Sequence, residues 1–481
     1  MGETNDKAFP SDIEVSIDKI ETVYPSELTP SDTLELSNID LTVLFPVETV
    51  YFYPAKAPGD HHTSEIAKNM KSALGKLLVY YYPYAGRFRF NKEKQRMEIN
   101  CNGEGILFVE ARSALAMSEL GEIGFVNPTF RSLVMNPLQM QSPPIITLQV
   151  TTFKCGGFVV GMYSSHAAFD GLSSCHFLQN LAAMTRGEEI QVVPVFDRTS
   201  LMARDPPRVE YEHPEMMEVP KEGVSVFTKR DDCGMQDFSK ISSQHAYRCF
   251  PFSSEEVQTI KRKATENGGH PCSTFEAMMA HVWQARVRAM AGVEEEEIEN
   301  EQVAVCDANE NKQTSMVLFA IDVRNRVEPP MAKTFCGNGV LTAYGKAELG
   351  EVLRRPLSFC VEKIRDGINR VTSSYVRSAV DWLQVHQGIP CIGLHGSFFL
   401  SAWWKLPFHW LDFGSGTPIY AGPIMTGVVD MVLLVSDCAN VSATHDQRQD
   451  ERRRTDGGLN LLLALPPAQM DLFKRHIRRH L

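Results

Sequence analysis

Two apolar runs, IITLQVTTF (145–153) and FVVGMYSS (158–165), flank the tetrapeptide KCGG. Strand-forming residues on both sides of a glycine-containing turn predict a pair of β-strands. A chain that starts a sheet here must supply further strands and apolar elements to cover it. His166 falls just beyond the second strand, in HAAFDG. A helix is expected from Leu172, with Cys175, Leu178 and Leu181 as its apolar positions.

The rest of the chain mixes both kinds of element. Residues 13–55 alternate short β-like runs with Pro-rich turns. Residues 62–82 carry Ile66, Met70, Leu74 and Leu77 at helical spacing, and YPYAGRF then breaks the helix with Pro83 and Gly86. STFEAMMAHVWQARVRAM opens with the S-x-x-E capping box of Ser273 and Glu276, and Phe275, Met278, Met279, Val282 and Ala289 fall on one face. VLFAIDVR and NLLLAL read as strands, and Met470, Phe473 and Ile477 form one face of a terminal helix. The fold class is therefore mixed α/β. At 481 residues the chain exceeds what one core usually supports, about 250–300 residues, so two domains are expected. The stretch 206–236, rich in Pro, charge and Met, is read as a linker between domains at 1–205 and 237–481.

The net charge of −11 argues against nucleic acid or an anionic membrane surface as partner. The 11 cysteines form no CxxC pair and no zinc-spaced cluster, which fits buried thiols in a reducing compartment. The polar, acidic first residues lack the pattern of a signal peptide, and GSFFLSAWWKLPFHWL is too interrupted for a spanning helix. A cytoplasmic protein with no membrane span is expected. No GxGxxG or GxxxxGK[ST] phosphate loop occurs, which leaves nicotinamide and P-loop chemistry unsupported. GSGTP at 414–418 is not a nucleophile elbow.

Among 14 histidines, chance alone supplies about one H-x-x-x-D, so the motif gains weight only from its place at a strand exit. Three roles fit it. A neutral imidazole can take a proton from an alcohol or amine near neutral pH. A structural histidine can be satisfied by its neighbours, with Asp170 holding the ring or pairing with an arginine. A metal site would need a third ligand, and none is suggested nearby.

HAAFDG together with LDFGSGTP (411–418) resembles the two signatures, HxxxD and DFGWG, of the plant BAHD acyl-CoA-dependent acyltransferases. VYPSELTPSDTLELSNIDL, LVYYYPYAGRF, LQVTTFKCGGFVVGMYSSHAAFDG, STFEAMMAHVWQARVRA and IDVRNRVEPPMAKTFCGNGV resemble further blocks of that family in the same order. The resemblance implies two similar mixed α/β domains of the chloramphenicol acetyltransferase-like kind, with a solvent channel between them. It implies that the second domain carries the DFGWG-like segment. It also implies that His166 is the general base for attack of an acceptor hydroxyl or amine on an acyl-CoA thioester. Asp170 would pair with an arginine, Arg324 first and Arg326 second, and Gly171 would give a tight exit into the helix. Asp412, Phe413, Gly414 and Gly416 match the structural DFGWG segment. Position 415 departs from it, with Ser where the family has Trp, a loss worth about 3–5 kcal/mol unless Trp403, Trp404 or Trp410 refills the space. LSAWWKLP resembles a stretch of the hydroxycinnamoyl transferases in which Ser401 and Trp403 would reach the active site. Trp403 as plain core is the competing reading.

The resemblance further implies acyl-CoA as co-substrate, with no permanently bound cofactor and no metal. A hydroxycinnamoyl donor and a long-chain alcohol or ω-hydroxy fatty acid acceptor are suggested, in a monomeric enzyme. Shikimate, quinate or spermidine acceptors, or a weakly active relative that binds acyl-CoA, are the alternatives.

Overall fold

The computed structural model describes residues 13–55, 62–121, 123, 128–218, 245–266, 270–294, 313–392, 397–424, 430–437, 458–479 and 481. The strands are β1 (Ser16–Val23), β2 (Thr33–Glu35), β3 (Pro46–Tyr53), β4 (Arg87–Asn91), β5 (Arg96–Asn100), β6 (Ile106–Ser113), β7 (Ile146–Phe153), β8 (Phe158–Ser165), β9 (Met216–Met217), β10 (Ala246–Phe252), β11 (Thr314–Asp322), β12 (Val340–Glu348), β13 (Ile389–Pro390), β14 (Phe398–Ala402), β15 (Tyr420–Pro423), β16 (Met431–Ser436) and β17 (Leu459–Leu465). The helices are α1 (Asn38–Leu41), α2 (His62–Tyr80), α3 (Gly171–Thr185), α4 (Ser254–Thr265), α5 (Thr274–Met290), α6 (Leu349–Arg354), α7 (Leu357–Arg370), α8 (Ser373–His386) and α9 (Pro467–Arg478).

Two compact units result, neither continuous in sequence. The first takes Met1–Met202, Ala332–Gly339 and Leu406–Thr426; the second takes Ala203–Met331, Val340–Lys405 and Gly427–Leu481. The segment 411–418, expected with the C-terminal half, therefore belongs to the first unit. The cause is β15, which follows it and pairs antiparallel with β3. The expected linker is only partly described. Residues 219–236 lie outside the described residues, while Arg204 and Arg208 donate their backbone N–H groups to Asp381 on α8 at 2.8 and 2.7 Å. The charge run at 445–457 also lies outside the described residues.

The first unit is built on a six-stranded sheet in the order β1-β6-β7-β8-β3-β15, parallel only between β6 and β7. The β7–β8 hairpin is the one read from the sequence. Its register runs from Ile146 opposite Ser164 to Thr152 opposite Phe158, and the turn closes with Phe153 N–H to Gly157 O at 2.9 Å. All eight residues of β8 are buried, as suits a strand flanked on both edges and covered on both faces. On one face, Val50, Phe52, Val159 and Tyr163 pack with Phe130, Leu133 and Tyr420. Buried polar residues of β7 are satisfied: Gln149 Nε2 donates to Ser132 O at 3.1 Å and to Thr151 Oγ1 at 3.0 Å.

The second unit has its own six-stranded sheet, β10-β17-β16-β14-β11-β12, with β14 parallel to both β11 and β16. Helix α5 begins at the expected capping box, Glu276 N–H to Ser273 Oγ at 3.2 Å and Ser273 N–H to Glu276 Oε2 at 2.7 Å. The single apolar face read from its sequence is too narrow. Every residue from Phe275 to Ala289 is buried, because α4, α6, α7 and α9 all pack around this helix. Its polar residues therefore carry specific bonds: Trp283 Nε1 donates to Ser315 Oγ at 2.8 Å, and Gln284 Nε2 to Val352 O at 3.0 Å. Among the described residues, no helix is long and apolar enough to cross a membrane.

Candidate active site

His166 is the first residue past β8, and its backbone N–H donates to Phe45 O at 2.9 Å. The Phe45 ring stands edge-on to the imidazole, with centroids 5.1 Å apart. The residue as a whole is half-buried. Its ring hydrogen bond goes not to Asp170 but to Asn338, from Nδ1 to Oδ1 at 3.1 Å. Burial pushes the imidazole pKa below its ordinary value. A bond to its own backbone, the charge of Asp170, the Asn338 side chain and the charge of Asp40 pull the other way without reversing the shift. Near neutral pH the ring is uncharged.

Asp170 serves the backbone. It is the N-cap of α3: Oδ1 accepts from Ser173 N–H at 2.9 Å, and Oδ2 accepts from Gly339 N–H at 2.9 Å. Its own N–H donates to Gly337 O at 3.2 Å. The segment 335–339 is bound further by Ser173 Oγ, which donates to Gly337 O at 3.0 Å. Gly171 opens α3 with no left-handed backbone, so the tight-exit role expected for it is not what it supplies. It supplies room instead, since a Cβ there would lie 2.5 Å from Leu406 Cδ1.

Behind His166 lies a buried polar chain that sequence reading missed. Asn338 Nδ2 donates to His166 O at 2.9 Å and to Asp40 Oδ1 at 2.8 Å, and Asn338 N–H reaches the same Oδ1 at 3.1 Å. Asp40 Oδ2 accepts from Ser37 N–H at 2.8 Å, Ser37 Oγ at 2.9 Å and Arg198 Nε at 2.9 Å. Asp40 and Arg198 are 0% and 4% exposed, so this is a fully enclosed ion pair. The available signal for Asp40 was its place three residues after Ser37, the spacing of a capping box, which closes around α1. Nothing local marked Asn338.

The DFGWG-like loop is well away from this group. Arg186, the C-cap of α3, donates to Asp412 O, while Asp170 caps the other end. The 15 residues of α3 separate them by about 22 Å. Asp412 Oδ1 accepts from Gly414 N–H at 2.7 Å and Gly416 N–H at 2.8 Å, closing the turn. Gly414 and Gly416 take φ of +103° and +87°, which only glycine adopts easily. Phe413 is buried edge-on to Tyr53, with ring centroids 5.8 Å apart. Ser415, in the place of the usual Trp, is half-buried.

Arg324, Ser401 and Trp403 belong to the second unit. Arg324 follows β11 and is held by Asp322, Nη1 to Oδ2 at 3.1 Å. Arg326 caps α7, with Nη1 donating to Ile368 O and Val371 O at 2.8 Å each. Ser401 lies on β14 and Trp403 starts the following 3₁₀ turn, both half-buried. Beside them Trp404 is buried near Phe275, with centroids 6.2 Å apart. Among the described residues no three His, Cys, Asp or Glu side chains come together as a metal site.

The family model described as the Transferase family matches residues 13–480. The acyltransferase GLAUCE of Arabidopsis thaliana is 34% identical over 471 residues, covering 96% of this chain and 95% of that protein. The omega-hydroxypalmitate O-feruloyl transferase of the same plant is 33% identical over 466 residues, covering 94% and 90%. Among solved structures, vinorine synthase matches with a TM-score of 0.69 and 19% identity over 97% of this chain and 98% of that one. The chain belongs to the BAHD family of acyl-CoA-dependent acyltransferases. It is an acyltransferase of mixed α/β, two-domain, chloramphenicol acetyltransferase-like fold.

Proposed function

We propose that this enzyme moves a hydroxycinnamoyl group from CoA to the hydroxyl of a long-chain alcohol or ω-hydroxy fatty acid, with His166 as the general base, in the cytosol. The observation that carries the reading is the state of the imidazole. The ring is uncharged near neutral pH on a half-buried residue, and its Nδ1 lies 3.1 Å from Asn338 Oδ1, an arrangement that suits a proton on Nδ1 and a lone pair on Nε2. Nε2 takes the proton of the acceptor hydroxyl as its oxygen attacks the thioester carbonyl. The tetrahedral intermediate then breaks its C–S bond, and the imidazolium returns the proton to the CoA thiolate. A base of this kind is worth about 10²–10⁴ in rate. The acceptor class is supported by the feruloyl transferase for omega-hydroxypalmitate, which shares a third of its residues with this chain. The cytosolic assignment is supported by the eight cysteines among the described residues, all of them free thiols.

The test gives purified protein feruloyl-CoA and, in turn, 16-hydroxypalmitate, hexadecanol, shikimate, quinate and spermidine, and follows free CoA thiol and product mass. Ester formation on the two long-chain alcohols, abolished in His166→Ala, is the expected result. Preferred turnover on shikimate, quinate or spermidine overturns the acceptor assignment. Tight feruloyl-CoA binding without release in any mixture overturns the enzymatic reading in favour of a binding protein.

A further inference from the structure

We propose that Asp40 is a positioning residue for this reaction, which through the Asn338 side chain fixes His166 as the tautomer protonated on Nδ1. The inference rests on the reading of His166 as the base. A neutral imidazole carries one ring proton, and only the tautomer with its lone pair on the substrate-facing nitrogen can act. The Asn338 amide decides which one it is. One end of that amide lies 2.8 Å from Asp40 Oδ1 and 2.9 Å from His166 O, and neither of these can donate. The NH2 group must therefore occupy that end, since its two hydrogens match two acceptors. The carbonyl oxygen is then left facing His166 Nδ1 at 3.1 Å, and an oxygen without hydrogen can only accept. The proton sits on Nδ1 and the lone pair on Nε2. Reversing the amide would set its oxygen against a carboxylate and a carbonyl at once.

Asp40 is what makes that reversal costly, and the fold holds Asp40 firmly. Its two oxygens accept from Ser37 N–H, Ser37 Oγ, Arg198 Nε, Asn338 N–H and Asn338 Nδ2. Five donors leave it no capacity to turn away. Arg198 supplies the opposite charge in a place closed to solvent. The four side chains Arg198, Asp40, Asn338 and His166 form one series within the first unit.

The test is ¹⁵N-histidine NMR on the full chain, with Asp40→Asn, Asn338→Ala and His166→Ala compared with the parent. Kinetics with feruloyl-CoA and 16-hydroxypalmitate run in parallel. The parent is expected to show His166 protonated on Nδ1, with Nε2 bare. In Asp40→Asn the two nitrogens should move toward an averaged mixture, and kcat should fall at least about tenfold with KM for feruloyl-CoA unchanged. Asn338→Ala leaves the Asp40–Arg198 pair in place and should do the same, so it carries the test should Asp40→Asn fail to fold. A parent protonated on Nε2 overturns the proposal. So does an Nδ1-protonated ring with parental kcat in folded Asn338→Ala, which would mean the ring's own backbone bond suffices. Loss of activity in His166→Ala alongside either outcome leaves the base reading standing. Parental activity in His166→Ala removes the base reading itself, whatever the tautomer.

Discussion

Removing the Asp170 carboxylate tests whether the second half of H-x-x-x-D acts on the chemistry or on the chain. In the structure it does two backbone jobs, capping α3 through Ser173 N–H and holding Gly339 N–H, each at 2.9 Å. Asp170→Ala loses a helix cap worth about 0.5–2 kcal/mol. It also strands a buried N–H at a cost of about 1–3 kcal/mol. The sum is about 1.5–5 kcal/mol of stability. Asp170→Asn keeps one acceptor oxygen and turns an NH2 toward the other donor, so it should lose roughly half as much. The assay is urea unfolding followed by fluorescence, read as a lowered midpoint. Activity should fall as well, because Gly339 adjoins Asn338 and a displacement near 1 Å in a catalytic group can cost about 100-fold. The pH profile gives a separate readout. The charge of Asp170 opposes the effect of burial on His166, so its loss should move the acid limb to lower pH. An Asp170→Ala protein as stable as the parent would refute the backbone role. An acid limb displaced to higher pH would refute the electrostatic argument.

Three further outcomes follow from the same geometry. In the parent, kcat/KM should fall with acidity around a midpoint below the ordinary histidine value of about 6.5, because burial disfavours the imidazolium and only the neutral ring can accept a proton; a midpoint above that value would contradict the environment described. Gly161→Ala, in the middle of β8, would set a Cβ 2.0 Å from Leu133 O, a backbone atom that cannot swing aside, and should cost about 1–3 kcal/mol in thermal unfolding. Asp412→Ala frees the Gly414 and Gly416 amides and should lower stability by about 1–3 kcal/mol while leaving the acid limb in place, since α3 stands between that loop and His166.

What was legible in the sequence was local. The β7–β8 hairpin, the Ser273–Glu276 cap and the Met470–Phe473–Ile477 face each depend on residues a few positions apart, where turn chemistry and periodicity act directly. The terminal helix starts on the Pro466–Pro467 pair, since proline suits the first turn. What escaped was set by pairing across long separations. Asn338 reaches Asp40 over 298 positions and His166 over 172, and no local pattern marks an Asn for that task. The exchange of chain between the units was hidden for the same reason, because β15 joins β3 through pairing that neither segment advertises. Helix α5 misled in a different way. Its polar residues imply a wet face, yet packing on all sides buries them and each must find a bond.

The most direct measurement is CoA release by parent and His166→Ala at pH 7.5, with feruloyl-CoA and the best acceptor of the panel, alongside thermal unfolding and acyl-CoA binding. The account predicts release slowed at least about 100-fold, with unfolding and binding retained. Release at the parental rate from the folded variant would contradict it.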